Sequence, residues 1–384
     1  MFLHLDCRHY RGDRPCRFDR LCEACPHYAP MGKRVLIIKL GALGDVVRTA
    51  ALLPGLNRLT GEPPYVTWVT SPAALPLVER MPGVARALPF TPETVMALEI
   101  EKFDLVLSLD KEPAPSALAM RAQAPQKYGV GLSRYGTAFP LNEEAEYYFQ
   151  LGLDNPEKFH VNQKSYPQLI FEALGLGYSG ERYALEPKAI DIDEAATIYI
   201  QEGVPPAAEV IGINPGAGHV YAHKAWRPEA YGELISLLRR ARPAAHIALL
   251  GGADEAELID HLWRGAVGRE IKGAEGGVHS LGTNHPLGVF MTLIRRVNAL
   301  VAGDTLAMHL AIAQRRPVVA IFGPTCPQEI DLFGRGEKLV SPIEYAPCYL
   351  RACDKSPHCM DMIKSGEVAA AVLRQLPGGT AATG

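Results

Sequence analysis

The sequence predicts an α/β protein in which two doubly wound, Rossmann-like domains face each other across a cleft. Three observations carry this expectation. Short β-branched apolar runs alternate with amphipathic stretches, the alternation restarts in mid-chain, and several runs end in glycine turns that lead directly into helices. Buried parallel strands read as near-continuous apolar runs because helices cover both of their faces.

In chain order, RVLIIKL (34–40) is the first such strand; it enters GALGD and then the helical VVRTAALLPGLNRL. YVTWVTS (65–71) and FDLVLSLD (103–110) are further strands. Segments 176–193 and 203–208, rich in Gly, Pro and charge, mark the region between domains. The pattern restarts with VIGINPG (210–216), a strand ending in a turn, followed by the amphipathic helix EAYGELISLLRRA (229–241). HIALLGG (246–252) is a strand that precedes an acidic helix, DEAELIDHLWRG. ALVAGD (299–304), TLAMHLAIAQ (305–314) and PVVAIFGPT (317–325) form strand, helix and strand, and IKSGEVAAAVLRQL (363–376) is a closing helix. The expected division is a cysteine-rich leader (1–32), an N-terminal α/β domain (33–185), a C-terminal α/β domain (186–362), the closing helix (363–376) and a flexible tail (377–384).

A chain of 384 residues, 48% hydrophobic and 21% charged, has enough apolar material for two cores. Its net charge of −3 provides no field that would favour nucleic acid. The densest basic run, RRARP at 239–243, ends a helix and reads as a solvated face. No apolar run approaches the roughly 20 residues that span a bilayer, and MFLHLDCRHYRGDRPC lacks the apolar core of a signal peptide. A cytosolic protein is therefore expected, and its eight cysteines are expected to include metal ligands rather than to form disulfides. Cys22 and Cys25 have knuckle spacing, and Cys7 and Cys16 would complete a tetrahedral thiolate site for one structural zinc. Cys326, Cys348, Cys353 and Cys359 form a second group, more widely spaced, for which a metal site and incidental thiols are equally open.

Three constellations bear chemistry. Lys39, Gly41, Gly44 and Asp45 lie where the first strand turns into a helix. The glycines permit a tight turn and close approach of substrate to the backbone. A carboxylate at that mouth can accept a proton from an attacking hydroxyl, and it can equally cap the helix. In AGDTLAMH, free amides at Thr305, Leu306 and Ala307 with the helix dipole suit a diphosphate. Asp304 there suits sugar hydroxyls or an N-cap, whereas His309 reads as a core histidine. Lys224, before Trp226 and Arg227, adds a cation at the cleft edge, although position alone favours a plain surface lysine.

Together, IIKLGALGDVVRTAALLPGL, INPGAG with KAWRPEAY, LLGGADEAE and AGDTLAMHLAIAQRRPVVAIFGPT resemble glycosyltransferase family 9, the ADP-heptose:lipopolysaccharide heptosyltransferases, over about residues 34 to 360. The resemblance implies a GT-B fold and an inverting transfer of heptose from ADP-heptose to a lipopolysaccharide-core acceptor, with no catalytic metal. Carried over by position, it makes Asp45 the general base, Lys224 the phosphate-binding lysine and Glu255 the acid that contacts the nucleoside. Asp304 with Thr305 and Leu306 becomes the sugar–diphosphate loop. Leu306 departs from the small residue usual there, and the leader lies outside the family core. Some related protein-heptosylating enzymes hold iron through cysteines, so iron stands beside zinc for the thiol groups. The acceptor on this reading is a lipid-linked saccharide met at the inner face of the cytoplasmic membrane. Serine side chains of an exported protein, or a non-catalytic sugar-nucleotide scaffold, are the competing readings.

Overall fold

The computed structural model of the chain describes residues 1–217, 222–267 and 275–378. Residues 34–140 build one six-stranded sheet: β1 (Arg34–Ile38), β2 (Tyr65–Thr70), β3 (Val84–Pro89), β4 (Leu105–Ser108), β5 (Gln126–Leu132) and β6 (Ala138–Pro140), in the order β3-β2-β1-β4-β5-β6. All neighbours are parallel except β5 and β6, which are antiparallel. A second sheet repeats the plan with β7 (Val210–Asn214), β8 (His246–Leu249), β9 (Val278–Ser280), β10 (Ala299–Gly303), β11 (Val318–Phe322) and β12 (Gly336–Val340). Its order is β12-β11-β10-β7-β8-β9, parallel throughout. This is a GT-B architecture. In each sheet the winding direction reverses beside the first strand, between β1 and β4 and between β7 and β10, and crevices for ligands form at such reversals.

The strands expected from apolar runs are the fully buried ones: Val35 to Ile38, and every residue of β4, β7, β8, β10 and β11. The strands not foreseen are short or half-exposed: β3, β5, β6, β9 and β12. Their polar positions blur the apolar signal. The stretch assigned to inter-domain loop instead starts a helix, Ala189–Gln201, which packs Ala195 and Tyr199 against helix Leu287–Arg296. Arg80 grips Asp191 of that helix with two bonds of 2.8 and 2.7 Å. One apolar cluster runs from Val35 and Val47 through Met308 and Leu310 to Ala302 and Phe322, so the two sheets share a core. Of the expected flexible tail, residues 379–384 lie outside the described residues.

In the leader, the four cysteines expected to hold a metal all border one cavity of about 500 Å³. Cys7, Cys16, Cys22 and Cys25 are free thiols, and so are Cys326, Cys348, Cys353 and Cys359. Among the described residues no three His, Cys, Asp or Glu side chains meet where one ion could sit. Cys7 is pinned in a bridge with Pro30, while Cys16 and Cys22 each open a separate turn, closed by the amides of Asp19 and Cys25. Ring stacks close the segment, Phe18 on His27 at 3.9 Å and His4 on Tyr28 at 4.1 Å. In the second group, Cys326 stands apart, its thiol directed to the Lys158 carbonyl. Burial pushes the Cys326 thiol up to about 12 and Cys359 to about 11.

Candidate active site

A cavity of about 590 Å³ opens between the carboxyl ends of the two sheets. Ala42 to Asp45 line it from the first domain, and Asn214, Lys224, Glu255 and Asp304 to Ala307 from the second. The structure thus brings Asp45, Lys224, Glu255, Asp304, Thr305, Leu306 and Ala307 to one place.

Asp45 lies in the first turn of helix Leu43–Thr49, three residues after the N-cap Ala42, and 35% of its side chain is open to the cleft. Arg48 pairs with it at 2.8 Å. Burial alone would raise the Asp45 carboxyl, but the charges of Arg48 and Lys39, with a smaller share from the Ala42 amide, hold it below the usual carboxylate range. It is therefore ionised at neutral pH. Arg48 is boxed in: its guanidinium lies 3.8 Å over the Tyr166 ring and 3.4 Å from Glu329, which also takes Lys158 at 3.6 Å. Sequence reasoning missed this bridge because Glu329 stands 281 residues from Arg48. Only the i,i+3 spacing of Asp45 and Arg48 was available as a signal.

Lys39 does not line the cavity. It is buried below the loop, where its ammonium bonds Asp110 and, at 2.6 Å, the Gly41 carbonyl. Burial disfavours its charge, yet Tyr166, Asp110 and Asp45 outweigh that and keep it protonated. Asp110 also accepts from the Leu40 amide, so the pair is a strut under the substrate loop. Gly44 is needed for a different reason from the tight turn expected. A Cβ there would lie 2.7 Å from His309 Cδ2, so glycine is what lets helices Leu43–Thr49 and Leu306–Ala313 cross this closely. Gly41 has nothing within 4 Å of a would-be Cβ, so packing does not demand it.

Across the cavity, Thr305 is the N-cap of helix Leu306–Ala313, and no side chain caps that helix. Its first amides, at Leu306 and Ala307, face the cavity where an anion can reach them. Asp304 is not the cap; its carbonyl accepts from Lys224 Nζ at 2.7 Å. Thr305 donates to Asn214 Oδ1 at 3.1 Å, which ties the ends of β7 and β10 together. Glu255 accepts from the Gly252 amide at 2.8 Å and packs over Gly216, where a Cβ would meet its carboxylate at 2.5 Å. His309, read from sequence as a core residue, is only 4% exposed yet borders the cavity. Its Nε2 is 4.0 Å from Asp304 and its Nδ1 3.3 Å from the Tyr183 hydroxyl. Burial and then Arg48 lower it to about 4, so it is neutral at pH 7.

Two facing Rossmann-like domains, with a carboxylate on one side of the cleft and a helix terminus and lysine on the other, define a GT-B glycosyltransferase. The chain belongs to glycosyltransferase family 9 (heptosyltransferase), whose family model matches residues 94–358. The loop carrying Asp45 lies upstream of that match. Among relatives, the chain is 26% identical over 280 residues to lipooligosaccharide heptosyltransferase 2 of Haemophilus influenzae, covering 66% of this chain and 72% of that one. It is also 26% identical over 312 residues to lipopolysaccharide heptosyltransferase 2 of Escherichia coli K12, covering 77% and 84%. The crystal structure of a family 9 glycosyltransferase from Veillonella parvula superposes with a TM-score of 0.69 at 19% identity, over 89% of this chain and 97% of that one. That likeness speaks for the fold.

Proposed function

We propose that the protein transfers a heptose from ADP-heptose to a lipopolysaccharide-core acceptor with inversion at the anomeric carbon. One observation carries the reading: a single cavity sets the ionised Asp45 of one domain against the uncapped helix terminus and Lys224 of the other. The names of the curated relatives supply the sugar and the acceptor class.

In this mechanism Asp45 takes the acceptor hydroxyl's proton as the oxygen attacks the anomeric carbon from the face opposite the diphosphate. The bond to the diphosphate breaks as the new glycosidic bond forms, and negative charge grows on the leaving group. Lys224 and the amides of Leu306 and Ala307 stabilise that charge. Asp304 accepts from sugar hydroxyls, and Glu255 contacts the nucleoside. The substrate is met at the inner face of the cytoplasmic membrane. Among the described residues no helix is long and apolar enough to cross a membrane.

The test is to incubate the purified protein with ADP-heptose and a heptose-accepting lipopolysaccharide core, then follow ADP release and the mass of the acceptor. Heptosylated core is the expected product. Product only on serines of an exported protein would replace the acceptor, and no ADP release with either would overturn the reading.

A further inference from the structure

Outside the active site, a groove of about 410 Å³ runs between helix Ala189–Gln201 and the C-terminal end of helix Leu287–Arg296. One wall is apolar. Ile192, Ala196 and Ile200 recur every four residues on the first helix and form a stripe, with Ile192 45% and Ile200 64% exposed. The other wall is cationic, built by Arg295, Arg296 and Arg316, and no carboxylate lines the groove.

These cations have no counter-charge of their own. Among the described residues none of the three is in an ion pair, and Arg316 Nε is buried without a hydrogen-bond partner. Arg296 is held in place by the neutral carbonyls of Pro205, Pro206 and Ala208. Burial, with the charges of Arg295 and Arg296, also lowers the Arg316 guanidinium, as expected when like charges crowd a site. Three arginines gathered without an acid, in a chain of net charge −3, are arranged for an anion from outside.

A free anion would have no use for the isoleucine stripe, and an apolar peptide would have none for the arginines. An anionic amphiphile uses both. We propose that this groove docks the protein on a membrane by taking the phosphodiester headgroup of an anionic phospholipid between the arginines, with the first acyl carbons along Ile192 and Ile200. The proposal goes beyond the transfer reaction and does not depend on it, since docking requires neither donor nor base.

Co-sedimentation of the full-length protein tests it. Vesicles of phosphatidylglycerol mixed with phosphatidylcholine should carry the protein down, and vesicles of phosphatidylcholine alone should not. Arg295→Gln with Arg316→Gln should weaken binding by roughly fivefold for each charge removed, and Ile192→Ser with Ile200→Ser should also weaken it. The isoleucines are exposed, so that variant stays folded even if Arg316→Gln does not. Arg239→Gln with Arg240→Gln, a charge-matched change on another helix, should bind like wild type. Groove variants that sediment like wild type would overturn the proposal. So would thermal stabilisation by inorganic phosphate that depends on Arg295 and Arg316 without any vesicle binding, because the groove would then be a free-anion site. ADP release by the same variants, read separately, reports on the transferase.

Discussion

Replacing Gly44 by alanine should disable the enzyme although it adds one methyl group and removes no functional atom. The added Cβ would stand 2.7 Å from His309 Cδ2 and 3.3 Å from Nε2. Carbon atoms in good contact lie about 3.5–4.0 Å apart, so the overlap is close to 0.8 Å. His309 cannot easily yield: it is 4% exposed, and the Tyr183 hydroxyl is 3.3 Å from its other face. The helices must therefore part, and overpacking of this kind costs about 1–3 kcal/mol. A loss near the middle of that range lowers Tm by roughly 4–8 °C. The effect on rate should be larger. The parting helices carry Asp45 and the uncapped terminus of helix Leu306–Ala313, and a misplacement of about 1 Å can cost on the order of 100-fold. Differential scanning fluorimetry and steady-state kinetics on Gly44→Ala measure both quantities. In a His309→Ala background, adding Gly44→Ala should cost little further Tm, because the clash is gone. A single variant with wild-type Tm and a kcat within about threefold of wild type would refute the idea that Gly44 sets the spacing across the cleft.

Asp45→Asn should reduce turnover by about 10²–10⁴-fold, the usual share of general-base assistance, while calorimetry finds donor affinity nearly unchanged. Lys224→Ala and Asp304→Ala should instead weaken ADP-heptose binding as well as turnover; wild-type affinity in both would mean that the donor side of the cleft is misassigned. His309 predicts a pH effect on stability. Its folded value, about 4, lies below the ordinary 6.5, so between these limits the unfolded chain binds more protons and stability falls as pH falls, by at most about 1.4 kcal/mol per pH unit. Denaturant titrations between pH 7 and about pH 4 should show a shallower fall for His309→Gln, and an equal fall in both proteins would argue against a neutral buried imidazole.

How much of this was legible in the sequence differs by residue. β1, β7 and β10 could be read because burial on both faces leaves their centres wholly apolar, and they lead to Asp45, Asn214 and Asp304 at the carboxyl ends of the two sheets. β3 and β12 could not, because part-exposed positions admit Arg86 or Lys338. At the site, Asp45 and Asp304 were legible from their place after a strand, since topology alone sends both to the cleft. Arg48 was not: its meaning depends on Glu329 and Tyr166, which only tertiary structure brings near. The place of Lys39 below the loop was not legible for the same reason, since its partner Asp110 follows another strand. The cysteines were legible only as spacing. Spacing such as that of Cys22 and Cys25 describes a turn, and a turn does not decide whether distant thiols converge.

Glu329 gives one oxygen to Arg48 and the other to Lys158, both residues of the opposite half of the molecule. Drawing Arg48 away would leave Glu329 with Lys158 alone and would strip Asp45 of its nearest cation. The halves are thus coupled through a shared acid, and the cation that holds the Asp45 carboxylate ionised is the same one that fastens them.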